Sequence, residues 1–337
     1  MASKGLVFSG MRPSGRLHIG NWIGALQNWV DLQTDYDCIY SAVDVHTLTT
    51  ITDGRETKEI QKNISEMVLD WLGAGLDPDK SIIFTQSHVP EVMSLHTILS
   101  MVTPLGWLLR VPTFKDRIRQ MNETEETVSY GLVGYPVLMA SDIILYKADT
   151  VPVGEDQVPH LELTREIVRR FNNMFGETFP EPKAKLTEIP LVLGLDGHQK
   201  MSKTLDNHVE LATTEQETLD RIAPAYTDPQ RLRRSDPGRP EMCNVYSLHK
   251  FFNKFDLPEI YDECTTAKRG CVDCKAHLGK GINRSLEPFR ERRREYEGKP
   301  NLVREILVEG ANKASRIAGS TMDEVKDRLG ISGPQSF

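Results

Sequence analysis

The chain has no uncharged stretch that is both long enough and apolar enough to cross a membrane. Its longest uncharged run, Val92 to Leu109, is broken by Ser94, His96, Thr97, Ser100, Thr103 and Pro104, so a buried helix is expected there. No basic-then-apolar leader stands at Met1-Ala2-Ser3-Lys4, and a cytoplasmic protein without membrane partners is expected. Internal repeats and low-complexity segments are missing as well. So is a surplus of positive charge: 41 Lys and Arg against 48 Asp and Glu leave a net charge of −7. That balance argues against indiscriminate nucleic-acid binding but leaves a local basic face open. Cysteine is scarce, five among 337 residues, and in a cytoplasmic chain disulfides are the poorer reading of them.

What is present is the ordinary make-up of a globular protein, 39% hydrophobic and 26% charged, at a length that suggests two domains. Gly5-Leu6-Val7-Phe8-Ser9 reads as a buried strand ending at Gly10. Asn21 opens a helical pattern with Trp22, Ile23, Leu26, Trp29 and Val30 on one face. Cys38 to Val45 is the next strand, residues 56–75 an amphipathic helix through Ile60, Ile64, Val68 and Trp71, and Ser81-Ile82-Ile83-Phe84 a third strand. Such alternation implies an α/β fold with a Rossmann-like parallel sheet. Its ligand crevice is expected at the carboxyl ends of the strands. Beyond about residue 205 strand-like runs vanish and helical patterns dominate, with a turn-rich break at Ser235-Asp236-Pro237-Gly238-Arg239-Pro240. The expected boundary therefore separates 1–204 from a helical domain at 205–337.

Two polar segments carry the chemistry. Pro13-Ser14-Gly15-Arg16-Leu17-His18-Ile19-Gly20-Asn21 joins the first strand to the first helix. Gly15 permits a tight turn, Gly20 leaves room for a ring, and the helix start offers unpaired N–H groups to phosphate oxygens. Lys200-Met201-Ser202-Lys203-Thr204 lies in a polar loop between Gly197 and Asn207. Its two lysines suit a triphosphate and the charge that develops as pyrophosphate leaves. Each segment alone also fits a plain connection or a solvated loop; the pair in this order points to an ATP-dependent adenylating site.

These segments resemble the HIGH and KMSKS motifs of the class I aminoacyl-tRNA synthetases. Phe8-Ser9-Gly10, Asp44-Val45-His46, Tyr135-Pro136-Val137-Leu138-Met139-Ala140-Ser141-Asp142 and Val153-Gly154-Glu155-Asp156-Gln157 make the resemblance closest to the tryptophanyl-tRNA synthetases, over nearly the whole chain. The resemblance implies activation of L-tryptophan with ATP and Mg2+, then transfer to tRNA(Trp), by a homodimer. It implies a catalytic domain at 1–204 and an anticodon-binding domain at 205–337. It also implies His18, Lys200 and Lys203 as catalytic residues. ATP contacts would come from Arg12, Gly20, Asn21, Gly154, Asp156, Gln157, Met201 and Ser202. The tryptophan pocket would be Phe8, Gly10, His46, Tyr135, Met139, Asp142, Val153 and Gln157, with Asp142 accepting the indole N–H. Three positions depart from the usual motifs. Asn21 replaces the second His and cannot act as an acid or base, Thr204 replaces the final Ser, and Arg12 stands where many bacterial relatives carry Gln.

The cysteines form a second constellation. Cys38 reads as a lone core thiol. Cys243, Cys264, Cys271 and Cys274 follow the spacing C-x20-C-x6-C-x2-C, and Cys271-x2-Cys274 is a chelate pair. Structural zinc usually shows two tight pairs; a four-iron, four-sulfur cluster accepts widely separated thiolates more readily. A branch of the tryptophanyl-tRNA synthetases that this chain resembles carries such a [4Fe-4S] cluster, so a cluster is expected, with zinc and free thiols as alternatives. Arg231, Arg233, Arg234, Lys268, Arg269, Lys275 and Lys280 nearby suit tRNA phosphates. The run Arg290, Arg292, Arg293, Arg294, interleaved with Glu291, Glu295 and Glu297, reads as a solvated helix face. Two other functions stay open: a tyrosine-specific relative, whose phenol needs both a donor and an acceptor, and a non-catalytic iron–sulfur RNA-binding protein, which has no need of Lys200 and Lys203.

Overall fold

The computed structural model describes residues 4–51, 53–121, 124, 126–186 and 191–333. Strands β1 (Leu6–Met11), β2 (Asp37–Ala42), β3 (Ser81–Thr85), β4 (Thr150–Val153) and β5 (Lys183–Leu186) form one parallel sheet in the order β3-β2-β1-β4-β5. Val7 lies opposite Cys38 and Thr150, and Cys38 opposite Ser81. The pleat sends alternate residues to opposite faces. Val7, Cys38, Tyr40 and Ile83 therefore enter one core, and Phe8, Ile39 and Phe84 the other. Helices cover both faces, as a parallel sheet requires. The chain winds to one side of β1 through β2 and β3, then returns to the other side with β4. That reversal opens a crevice between the carboxyl ends of β1 and β4.

The elements differ from expectation where tertiary context overrides local pattern. The first strand runs on through Gly10 to Met11. The helix expected at 56–75 is an α-helix at Ile60–Ala74, entered by a 3-10 turn at Glu56–Glu59 and ended by left-handed Gly75 (φ 109°). The single buried helix expected over Val92–Leu109 is two, Glu91–Val102 and Leu105–Leu108. Pro104 lacks the N–H to continue the first and keeps Thr103 extended. Nor is that region wholly buried, since Met101 and Leu105 are 78% and 60% exposed. Strand β5, Lys-Ala-Lys-Leu, is exposed throughout and lacks the apolar alternation that marks a strand in sequence.

Beyond residue 205, among the described residues, the regular elements are all helices, joined by turns and loops, with one isolated bridge between His18 and Glu210. Of two long helices, Cys271–Glu297 packs against the helix Ile60–Ala74, and Pro300–Leu329 returns to the sheet at β3. The first packs Leu278, Ile282, Leu286 and Phe289 into one core, and the second packs Ala311, Ala314, Ala318 and Met322 into the other. Gly310 is forced by this approach, because a Cβ there would lie 1.9 Å from the carbonyl oxygen of Ile83. The basic run on the first helix is a solvated face only in part, at Arg292 and Arg294. Arg290 and Arg293 are only 8% and 3% exposed, drawn inward by acceptors that a linear reading does not show. Among the described residues, no helix is long and apolar enough to cross a membrane.

Candidate functional site

A cavity of about 750 Å³ opens at the carboxyl ends of β1 and β4. Its wall includes Phe8, Gly10, Arg12, His46, Tyr135, Met139, Asp142, Val153, Gly154, Asp156, Gln157 and Lys200. The site residues expected from the β1, β2 and β4 ends are thus brought together by the topology. Gly10 is confined: a Cβ there would sit 2.7 Å from Val43 Cγ1. At the base of the cavity Asp142, on the helix Tyr130–Ile144, is 3% exposed. Its Oδ2 is 2.9 Å from Nε2 of His46, and Nε2 of Gln86 donates to both its oxygens at 2.8 Å. These contacts give the buried carboxylate the hydrogen-bond partners that its burial requires. A carboxylate has about four lone-pair directions, so one remains for a donor in the cavity. Phe8, Met139 and Val153 supply apolar wall beside it. The hydroxyl of Tyr135 lies 2.7 Å from Nε2 of His160, whose pKa burial lowers. Gln157 donates to Asp156 Oδ2 at 2.9 Å.

His18, Gly20, Asn21, Met201, Ser202 and Lys203 do not line this cavity but form a second cluster beside it. The His18 ring caps the helix start: its Nδ1 accepts from the backbone N–H of Asn21 at 3.3 Å, and Asn21 Oδ1 accepts from the N–H of His18 at 3.1 Å. Burial pushes the His18 pKa down to about 4, with His208, Lys203 and Lys200 adding to the shift. The ring is therefore neutral at pH 7, and an accepting Nδ1 leaves the proton on Nε2 as a donor. Gly20 holds the two motifs together, since a Cβ there would meet Met201 Cβ at 3.3 Å and the His18 ring at 3.0 Å. The lysine loop is tied rather than loose. Met201 N donates to Val192 O at 3.0 Å, and Asn207 Oδ1 accepts from Ser202 N at 2.7 Å. Lys203 Nζ donates to the carbonyl of Ser14, next to left-handed Gly15 (φ 82°). Burial lowers the Lys203 pKa, so its ammonium is poorly hydrated and gains by meeting an anion.

The four C-terminal cysteines converge without closing on one point. Cys243 precedes the helix Asn244–Phe252, Cys264 lies in Leu257–Thr265, and Cys271 and Cys274 open Cys271–Glu297. Burial raises the pKa of Cys274 to about 12, with the charges of Cys243, Cys264 and Cys271 adding to it. Arg231 reaches between Cys264 (3.7 Å) and Cys271 (3.8 Å). Among the described residues, no three His, Cys, Asp or Glu side chains are arranged to hold a metal ion.

The chain matches the family model of class I tRNA synthetases for W and Y over residues 3–287. It is 44% identical to the tryptophan–tRNA ligase of Thermotoga maritima, over 96% of this chain and 99% of that relative. It belongs to the tryptophanyl group of class I tRNA synthetases. Identity to the tryptophan–tRNA ligase of Deinococcus radiodurans is 43%, over 96% of this chain and 98% of the relative. Among solved structures, a tryptophanyl-tRNA synthetase from Campylobacter jejuni complexed with ADP and tryptophan matches with a TM-score of 0.86 at 35% identity, covering 96% of this chain and 99% of that one.

Within this synthetase fold, reading the sequence missed two polar residues of the pocket region. Gln86 directly follows β3, and a polar residue at the carboxyl end of a parallel strand is itself a signal. His160 lies on the first turn of Val158–Phe175, three residues after Gln157, which puts both on one helical face.

Proposed function

We propose that this chain is a tryptophan–tRNA ligase in which the residues above carry both half-reactions. A carboxylate oxygen of L-tryptophan attacks the α-phosphorus of ATP, which enters as its magnesium complex. The bond from that phosphorus to the bridging oxygen breaks, leaving tryptophanyl-adenylate and pyrophosphate. A hydroxyl of the terminal adenosine of tRNA(Trp) then attacks the acyl carbon, and AMP leaves. Asp142 carries the proposal: a paired, buried carboxylate on an apolar wall suits indole, which offers one donor and no acceptor. Phenylalanine would leave that carboxylate short of a partner, a strong basis for rejection.

Lys200 and Lys203 neutralise pyrophosphate as it leaves, and His18 donates from Nε2 to a phosphate oxygen. Gly20, Asn21, Met201 and Ser202 shape that phosphate site. Arg12, Gly154, Asp156 and Gln157 bind the nucleotide, with Gln157 also near the amino-acid end. Phe8, Gly10, His46, Tyr135, Met139 and Val153 complete the tryptophan pocket. The helical part from residue 205 receives the anticodon end of the tRNA through Arg233, Arg234 and Lys268, in the cytoplasm. A homodimer buries the exposed apolar side chains Leu48, Met93, Met101, Leu105 and Tyr130. Cys243, Cys264, Cys271 and Cys274 would hold a [4Fe-4S] cluster rather than zinc, because a polynuclear cluster reaches thiolates too dispersed for one ion; bound there it would staple two helix starts to the end of a third helix. Anaerobically purified protein then contains iron and sulfide, and stoichiometric zinc without iron would overturn this assignment.

The deciding experiment is ATP–pyrophosphate exchange with each amino acid in turn. Exchange with tryptophan alone supports the reading; equal exchange with tyrosine defeats it. Lys203→Ala lowers the exchange kcat about a hundredfold with tryptophan affinity unchanged, and an untouched rate would remove the loop from the mechanism.

A further inference from the structure

The backbone around His18 is clamped on both sides. Ile19 N donates to Val209 O at 3.0 Å, and Leu211 N donates to Leu17 O at 2.9 Å. Each strand of this clamp is gripped from the same helix, Cys271–Glu297. Arg293 Nε donates to Asp70 Oδ1 at 2.6 Å, and Asp70 Oδ2 accepts from the N–H of Leu17 at 2.5 Å. Arg290 Nε donates to Leu211 O at 3.4 Å, while its NH1 and NH2 bind Asn283 Oδ1 and Thr218 Oγ1, each at 2.9 Å. Arg293 also binds Glu66 at 2.5 Å, and Glu66 binds Arg16 at 2.9 Å, one residue before Leu17. Glu297 closes the set against Arg293.

Two buried arginines are a costly way to pack a helix. The same helix seats Leu278, Ile282, Leu286 and Phe289 with apolar contacts alone. The arginines occur where the helix abuts the His18 clamp, and Asp70 itself is wholly buried. A guanidinium fork fixes the direction of its partners, which an ammonium does not. We propose that Arg290 and Arg293 are positioning residues for the phosphate site, holding the two sides of the clamp that aims His18. This rests on the reading of the chain as an amino-acid-activating enzyme. Neither arginine lines the cavity. The helix that presents them begins at Cys271, roughly 33 Å from Arg293 at 1.5 Å per residue, so one helix links the cysteine region to the His18 segment.

The test is ATP–pyrophosphate exchange by Arg293→Lys and Arg290→Lys, which keep the charge and lose the fork. Each lowers kcat at least tenfold with KM for tryptophan within twofold, at a temperature where circular dichroism shows the variant folded. Asp70→Asn combined with Arg293→Lys is no slower than the worse single variant, because both act on Leu17. Arg294→Lys, exposed on the same helix, leaves kcat unchanged. Unaltered kcat in either folded lysine variant, or multiplicative losses in the double variant, overturns the proposal. Should Arg293→Lys fail to fold, Arg290→Lys decides it. A wild-type protein without tryptophan-dependent exchange would overturn the functional reading instead.

Discussion

Asp142 and Asp70 are both almost completely buried, yet their surroundings are built for different ends. Asp142 is held by His46 and Gln86 and faces a cavity. Asp70 is held by Arg293 and the N–H of Leu17 and does not line the cavity. One carboxylate keeps an acceptor direction for something that arrives; the other commits its oxygens to an arginine and a piece of backbone. Burial alone thus says little about role. What the pairing leaves unspent, and which way it points, separates a ligand-facing carboxylate from one that holds the scaffold.

The largest expected effect on this contrast is Asp142→Ala. It lowers kcat/KM for tryptophan activation about a thousandfold, since a site built around a hydrogen bond loses its partner, with little change in the unfolding midpoint. A stability loss without an activity loss would reverse the two roles. Asp70→Ala does the opposite first, costing about 3 kcal/mol in denaturant unfolding, because Arg293 loses its fully buried partner and keeps only the more exposed Glu66 and Glu297, while the N–H of Leu17 loses its acceptor. Gln86→Leu is smaller: it removes one support of Asp142 and raises KM for tryptophan about tenfold, the equivalent of about 1.4 kcal/mol. An unchanged KM would make Gln86 a core residue and nothing more.

The smallest effect is in the pH dependence. His18 titrates near 4 in the folded chain, below its ordinary value of 6.5. Between those values the unfolded chain binds more protons at this position, so its contribution to stability is complete above pH 6.5 and is lost as pH falls toward 4. His249, lowered to about 4 mainly by burial, adds in the same sense. His18→Gln lowers the pH slope of the unfolding free energy between pH 6.5 and 5 by about 1 kcal/mol per pH unit. A slope identical to the wild type would place the titration elsewhere.

Much of the architecture was legible from local pattern because β1, β2 and β3 are short apolar runs ended by polar or glycine residues. The later strands were not. β4 contains Pro152, and β5 is two lysines around an alanine; the position of β4 beside β1, and of β5 beside β4, is a product of the crossovers and not of their own composition. The break at Pro104 was present in the sequence, but the apolar run around it masked the stop signal. In the pocket, Asp142 and its apolar neighbours were legible as a motif. Gln86 and His160 were not, because each matters only through a partner on another element.

By itself, the sequence determined the parallel α/β class, the two phosphate-binding segments and the spacing of four cysteines, since these depend on residue types a few positions apart. The tertiary structure alone decided that His18 stands neutral with its Nδ1 occupied, that Asp142 is paired yet open, and that Arg290 and Arg293 lie inside the protein. The arginine run looked solvated because its glutamates are neighbours in sequence. Arg293 meets Asp70 across 223 positions, and an ion pair at that separation exists only once the helix Cys271–Glu297 has packed against the helix Ile60–Ala74.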